Sequence, residues 1–94
     1  MVKTHCTALV FAAGRGHRKI VEVLAGDKKE IKKHGGFAVR SAAAGGHGHI
    51  EIVEFLLEKG ADPNKSGKPS ALEVATRKEY WEIVKMLKAY GARR

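Results

Sequence analysis

Residues 48–64 read GHIEIVEFLLEKGADPN, and this stretch predicts an amphipathic helix that ends in a tight turn. Its apolar residues recur at helical spacing, which leaves the glutamates on the opposite, solvated side. Gly60 stands just past the last apolar turn, where a residue at positive φ can close a helix. Pro63 cannot continue a helix and fixes its own φ, so we expect the chain to turn there.

The same pattern recurs on both sides of this stretch. Ile20, Ile52 and Ile83 each open an Ile-Val pair, and they stand 32 and 31 residues apart. An internal period of this length is typical of stacked repeats, in which each unit buries its apolar face on the next. Three units are about the minimum for such a stack. The 94 residues are therefore expected to form one small domain.

The repeated motifs resemble the ankyrin repeat. That family's pattern has a Thr-Pro-Leu-His opening, an alanine pair, a Gly-His dipeptide, an Ile-Val pair, a Leu-Leu pair and a closing Gly-Ala-Asp. This chain carries matching residues at Thr7-Ala8-Leu9, Ser70-Ala71-Leu72, Ala12-Ala13, Ala43-Ala44, Ala75-Thr76, Gly16-His17 and Gly48-His49. In the third copy, Glu79-Tyr80 replaces the Gly-His dipeptide. The resemblance covers nearly the whole chain.

The resemblance implies an all-α fold, a short ankyrin-like solenoid of three helix-turn-helix repeats with short hairpin-like connectors. We expect a single domain over residues 1–94, with repeats at approximately 7–37, 38–69 and 70–94. In each repeat an inner helix faces the concave side of the stack, and an outer helix packs behind it.

The sequence of each repeat predicts where its helices begin and end. Thr7 is the expected N-cap of the first inner helix, and the outer helix follows over residues 17–25, with Ile20 and Val23 facing inward. Residues 26–36 are expected to form a connector with Gly35-Gly36 at its tip, because glycine tolerates the backbone of a tight turn. The second inner helix is then short and ends near residue 44. In the third repeat, residue 70 caps an inner helix over 71–78, and the outer helix covers 80–90.

Arg40 conflicts with this register. It falls where Leu9 and Leu72 stand, and an unpaired guanidinium is costly to bury. Either Arg40 is buried against a carboxylate, or the helix rotates or shortens so that Arg40 reaches water. We favour the second outcome, in which Phe37 or Val39 fills the vacated site.

The sequence predicts no catalytic site, no metal site and no cofactor. Residues 14–16 resemble half of a phosphate-binding loop but lack a preceding strand and a Lys-Ser/Thr pair. Cys6 beside His5 has no evident orienting group, and His47 with His49 does not match a recognised metal-ligand spacing. We therefore expect that the chain is not an enzyme.

Composition restricts the environment of the protein. The 18 basic and 10 acidic residues give a formal charge of +8, which attracts polyanions non-specifically. A single cysteine is compatible with a reducing compartment. No signal peptide or membrane-spanning segment is evident, so we expect a cytoplasmic protein with no membrane partner.

The resemblance also implies a non-catalytic scaffold that binds another protein, or a second copy of itself, through connector tips and inner helices. By position, the candidate partner-binding residues are Lys32, Lys33, His34, Arg40, Ser41, Gly45, Lys65, Ser66, Lys68 and Arg77. Two alternatives stay open. One is polyanion or nucleic-acid binding through the basic connectors, although the run at 28–33 lacks interleaved aromatics for base stacking. The other is an engineered scaffold, to which the short connectors are suited.

Overall fold

The computed structural model describes residues 4–26, 28–45, 49–65, 67 and 69–93, without the side chains of residues 4–7, 28 and 30. Within these ranges the chain forms six helices and no strand: α1 (Thr4–Arg15), α2 (Arg18–Leu24), α3 (Lys28–Gly45), α4 (Ile50–Glu58), α5 (Ala71–Arg77) and α6 (Trp81–Ala89). The predicted all-α solenoid of three helix-turn-helix units is confirmed.

The helices form two layers. Successive helices pack as the pairs α1–α2, α3–α4 and α5–α6, while α1, α3 and α5 form the inner layer and α2, α4 and α6 the outer layer. The molecule is 33 Å long and 22 Å across. This length fits three helix pairs stacked at the usual interhelical distance of about 8–10 Å.

The core lies between the layers and between successive pairs. The inner helices bury mostly small residues, whereas the outer helices bury branched aliphatic side chains. The largest fully buried side chains are Leu9, Val21, Ile31, Val39, Ile52, Val53, Leu56, Ile83 and Leu87. The apolar side of the helix predicted within residues 48–64 lies in this core, and Leu56 on that side is fully buried.

Local signals fix several helix ends as predicted. Gly60 has φ +103°, and the Ala61 N–H donates to the Leu56 carbonyl at 3.0 Å, which closes α4. At the start of α5, Ser70 Oγ accepts from the Glu73 N–H at 3.1 Å, and a Glu73 carboxylate oxygen accepts from the Ser70 N–H at 2.9 Å. This capping box satisfies amide groups that have no partner within the helix.

The turns inside the first and third pairs each contain a left-handed residue. Gly16 has φ +80° in the first pair, and Glu79 has φ +60° at the same place in the third. Residues 14–16 therefore belong to an inter-helix turn. Their likeness to a phosphate-binding loop arises because this turn also uses glycine. Glu79 pays a steric cost of about 1–2 kcal/mol that glycine avoids.

Two of the predicted boundaries are wrong. Residues 26–36 do not form a connector, because α3 begins at Lys28 and continues for 18 residues. Most of this extension consists of good helix formers, and Ile31 anchors it by burying its side chain. α1 also begins earlier than expected, at Thr4, so Thr7 lies within the helix and is not its N-cap.

Gly35 and Gly36 lie buried within α3 and not at a turn. A Cβ on Gly35 would stand 2.8 Å from the Ala61 Cβ, and one on Gly36 would stand 2.5 Å from the Lys65 carbonyl oxygen. The connector that follows α4 packs directly on the helix here. Glycine is required at these two positions because the connector occupies the space of a side chain, and not because the backbone turns.

The middle inner helix is shifted by one residue from the predicted register. Val39 is fully buried, as Leu9 is, so it takes the site that Arg40 would otherwise occupy. The buried alanine pair is Ala42-Ala43, while Ala44 is exposed, so the predicted pairing of residues 43 and 44 is wrong. The favoured outcome for Arg40 is confirmed, but through a change of register in a longer helix and not through shortening.

The first helix pair is covered on one side only. Ile20 and Val23 were expected to face inward, yet they are 51% and 77% exposed. Their equivalents one repeat later, Ile52 and Phe55, are buried and half-buried. In the described part of the chain no helix pair packs against the outer end of the first pair, so these two side chains meet solvent.

Candidate functional site

A groove of about 520 Å³ runs between α1 and α3 on the inner layer, and we call it the inner groove. Its described lining residues are Val10, Phe11, Gly14, Arg15, Phe37, Arg40 and Ser41. Gly14 and Ser41 bring the two helices together, since a Cβ on Gly14 would collide with the Ser41 Oγ. The close approach of the backbones leaves the larger side chains to form the walls.

Two arginine–phenylalanine pairs form these walls. The Arg15 guanidinium carbon lies 4.8 Å from the centre of the Phe11 ring on α1. The Arg40 guanidinium carbon lies 5.7 Å from the centre of the Phe37 ring on α3. Both rings remain open to solvent, with Phe11 56% and Phe37 38% exposed. Each cation is held over an aromatic face, a favourable arrangement that fixes an otherwise flexible side chain.

The second connector holds the α3 wall in place. Arg40 donates from Nη1 to the Pro69 carbonyl at 3.1 Å. Gly67, at φ +78°, packs so closely that a Cβ there would stand 3.1 Å from Phe37 Cε1. The Phe37–Arg40 wall is therefore preorganised by residues far away in sequence.

The groove arginines differ from Arg18 in their ionic partners. Arg18 pairs with Glu22 at 3.1 Å along α2 and also with Glu51 of α4. In contrast, Arg15 and Arg40 have no carboxylate within salt-bridge distance in the part of the chain that the structure describes. The positive charge of the inner groove is thus not neutralised by described residues of the chain itself.

Four of the predicted partner-binding residues lie at or beside this groove. Arg40 and Ser41 line it directly. Lys33 and His34 stand one helical turn before Phe37, which places them on the same side of α3. Lys33 is exposed and His34 half-buried.

Lys32 is placed elsewhere. It lines a separate depression of about 420 Å³, together with Lys29, Lys59 and Gly60. This lysine depression brings the start of α3 close to the end of α4. The structure therefore separates Lys32 from the inner groove, although the two sites lie on the same helix.

The other predicted residues are scattered. Lys65 is exposed in the second connector, and Arg77 is exposed at the end of α5. Gly45 ends α3, and a Cβ on it would collide with the His49 ring, which gives this glycine a role in packing. Ser66 and Lys68 lie outside the described residues.

The sequence prediction missed Phe11 and Arg15, and it considered Phe37 only as an alternative to Val39 for the buried site that Arg40 vacates. A usable signal was present: an aromatic residue followed by arginine three or four positions later, once on α1 and again on α3. That spacing places ring and guanidinium on one helical face. This spacing indicates a shared site only when α1 and α3 are known to pack side by side.

The described residues contain neither a metal-binding cluster nor a membrane-spanning helix. In that part of the chain, no three histidine, cysteine or acidic side chains are grouped closely enough to hold a metal ion. His47 and the side chains of His5 and Cys6 lie outside it. No described helix combines the length and the apolar character needed to cross a lipid bilayer.

Stacked helix pairs with a groove along the inner layer define a helical-repeat domain of the kind that presents a surface to a partner. The sequence model of the family "Ankyrin repeats (3 copies)" matches residues 2–67. The chain therefore belongs to the ankyrin repeat family. Ankyrin repeats generally mediate protein–protein interaction and are typically not catalytic.

Three relatives resemble parts of this chain. The ankyrin repeat and KH domain-containing protein mask-1 of Caenorhabditis elegans is 37% identical over 90% of the chain, which spans 3% of that protein. Inversin of Danio rerio is 37% identical over 57% of the chain and 6% of its own length. The probable E3 ubiquitin-protein ligase XBOS33 of Oryza sativa subsp. japonica is 48% identical over 47% of the chain and 9% of its own length. No solved structure matches the chain significantly.

Proposed function

We propose that this chain is a non-catalytic binding module that holds another protein in its inner groove. The observation that carries the proposal is the pair of arginine–phenylalanine walls, whose rings stay exposed beside unneutralised guanidinium groups. Aromatic residues and arginine are enriched where protein interfaces gain most of their binding energy. The groove also includes Arg40 and Ser41, two of the residues expected from position alone.

The proposed module acts as a scaffold and not as an enzyme. The module works without a cofactor, in the cytoplasm, and its described pockets bring together no nucleophile, base and orienting group. The three repeats over approximately 7–37, 38–69 and 70–94 act as one scaffold. The same groove would serve an engineered scaffold equally well, so the mechanism does not depend on the origin of the chain.

A pull-down with matched aromatic variants tests the proposal. Phe11→Ala and Phe37→Ala remove the groove walls, whereas Trp81→Ala removes an aromatic side chain of α6 that is exposed as much as Phe11, at 56% each. Proteins captured from a cell extract are compared by quantitative mass spectrometry. We expect specific partners to be lost with the groove variants and kept with Trp81→Ala. Partners that are kept by both groove variants and lost with Trp81→Ala would move the binding surface to the outer helices.

A second candidate function is polyanion binding at the lysine depression. The observation that favours it is the grouping of Lys29, Lys32 and Lys59 around one cavity. Heparin affinity at increasing salt tests this function, because binding to a polyanion falls steeply as counterions compete. If this function holds, we expect Lys32→Gln with Lys59→Gln to lower the salt concentration that elutes the protein by more than Arg15→Gln with Lys85→Gln, which removes the same amount of charge elsewhere. Equal shifts for the two double variants would contradict the second candidate.

A further inference from the structure

The chemistry of the inner groove specifies one kind of occupant. The groove combines an apolar surface, from Val10 and the open faces of Phe11 and Phe37, with guanidinium groups at its walls. No described lining residue is acidic. A complementary ligand must therefore supply both an apolar side chain and negative charge.

The guanidinium groups have unused binding capacity. Arginine offers five N–H donors in a planar fork that matches a carboxylate in two parallel hydrogen bonds. Arg40 makes one described hydrogen bond, to the carbonyl of Pro69, and Arg15 is described only against its phenylalanine ring. Both side chains are already positioned by their rings. A carboxylate can bind them with less loss of side-chain freedom than it would incur with a mobile lysine.

The wider charge distribution favours the same ligand. The chain carries a formal charge of +8, and exposed Lys33 lies about one turn of α3 before Phe37. A positive surface of this kind steers negatively charged partners toward it and discriminates against basic ones.

We propose that the inner groove binds an acidic segment of a partner protein. A leucine or aromatic side chain of that segment lies between Phe11 and Phe37, and flanking aspartate or glutamate side chains pair with Arg15 and Arg40. This inference rests on the proposed function as a protein-binding module and adds the chemistry of the partner.

Two other occupants fit the groove less well. A nucleic acid gains most of its affinity from many phosphate contacts, whereas the groove offers two guanidinium groups on an otherwise apolar surface. A second copy of the chain can present exposed acidic residues such as Glu54 and Glu58 of α4. Such a contact joins two different surfaces, so it builds rings or open chains of molecules and not a twofold dimer.

The test begins with selection of random peptides, displayed on phage, against the immobilised full chain. An enriched peptide is then synthesised with a fluorescent label, and its affinity is measured by fluorescence anisotropy. The test variant combines Arg15→Gln with Arg40→Gln, which removes both charges but keeps a polar side chain of similar size. The matched control is Lys85→Gln, which removes one exposed charge from α6. Circular dichroism and thermal unfolding verify that every variant is folded.

We expect the enriched peptides to contain acidic residues beside a leucine or aromatic residue. The double arginine variant should weaken binding about tenfold or more, the usual consequence of losing a charge-assisted hydrogen bond. The control should stay within about twofold, because an isolated exposed charge contributes little.

Other outcomes overturn the inference in distinguishable ways. Peptides without acidic residues that need Phe11 and Phe37, but are unaffected by the arginine variant, would contradict the acidic partner and preserve the binding module. Binding that is unaffected by substitution of Phe11, Phe37 and the two groove arginines would contradict the proposed function itself. Stronger binding of a labelled single-stranded oligonucleotide at the same arginines would identify a nucleic acid as the occupant. Self-association in sedimentation that Glu54→Gln abolishes would identify a second copy.

Discussion

Gly36→Ala is expected to destabilise the protein, which reverses the usual effect of this substitution in a helix. In an exposed helix interior, alanine is more stable than glycine by about 1 kcal/mol. At residue 36, however, the added Cβ would stand 2.5 Å from the Lys65 carbonyl oxygen, 2.7 Å from the Asp62 carbonyl oxygen and 2.8 Å from the Lys65 carbonyl carbon. All three are backbone atoms, so no rotation of a side chain can relieve the overlap.

The magnitude follows from these opposing effects. Overpacking in a well-packed region costs about 1–3 kcal/mol, and we expect the upper end because the connector must move as a unit. After the gain in helix propensity is subtracted, the net loss is about 2 kcal/mol. For a domain of this size that corresponds to a fall of about 8–16 °C in the midpoint of thermal unfolding.

Lys33 provides the matched control on the same helix. Its side chain is exposed, so the difference between Lys33→Gly and Lys33→Ala measures the local preference for alanine without a clash. Chemical denaturation of the three variants gives the free energies of unfolding. If Gly36→Ala stabilises the protein as much as alanine does at residue 33, then the connector does not pack on Gly36 of α3.

The remaining predictions concern the core, the exposed end, the inter-helix turn and the groove. Leu56→Ala should lower stability by about 2–5 kcal/mol in chemical denaturation, and an unchanged midpoint would contradict the repeat register. Ile20→Lys should change stability by no more than about 0.5 kcal/mol, whereas Ile52→Lys should lower it by at least about 3 kcal/mol, because only the second buries a charge. Equal losses would mean that Ile20 is also buried. Glu79→Gly should raise stability by about 0.5–1 kcal/mol by removing strain at positive φ, and a lower thermal midpoint would argue against that strain. Arg40→Leu should change stability by less than about 1 kcal/mol while weakening peptide binding; a loss of several kcal/mol would indicate a buried ion pair instead.

The outer helices and the third pair could be predicted from sequence because their signals are local. The Ile-Val and Leu-Leu pairs of α4, the closing glycine at residue 60 and the Ser70–Glu73 capping box each act within a few residues. Such signals require no knowledge of what packs against them. They identified the repeat and, through it, the fold.

The extension of α3 could not be predicted in the same way. A Gly-Gly dipeptide is usually evidence for a turn, but Gly35 and Gly36 are required by a segment about 26–30 residues further along the chain. Whether such a dipeptide marks a turn or a close packing contact depends on which segment lies beside it. A single sequence does not show that segment. Arg40 was more informative than the glycines, because the repeat register placed its charge at a buried position. A shift of one residue resolves this conflict by placing Val39 there instead.

The groove was predicted in part for a related reason. Position within the repeat identified Arg40 and Ser41, which lie on the α3 side. Phe11 and Arg15 lie on α1, and they become part of a site only when α1 packs beside α3. A surface composed of two helices cannot be read from either helix alone.

The one-sided coverage of the first helix pair among the described residues has a consequence for the proposed binding in the inner groove. In a linear stack, a unit with one neighbour undocks at a lower free energy than a unit with two, and the described residues give the first pair one neighbour. Half of the inner groove lies on α1, so the proposed binding-competent state exists only while the first pair is docked. The apparent affinity is then reduced by the fraction of molecules in which α1 is undocked, and a bound partner shifts that equilibrium toward the docked state. Amide hydrogen exchange in α1 and α2 should consequently slow on binding, including at amides that the partner never touches.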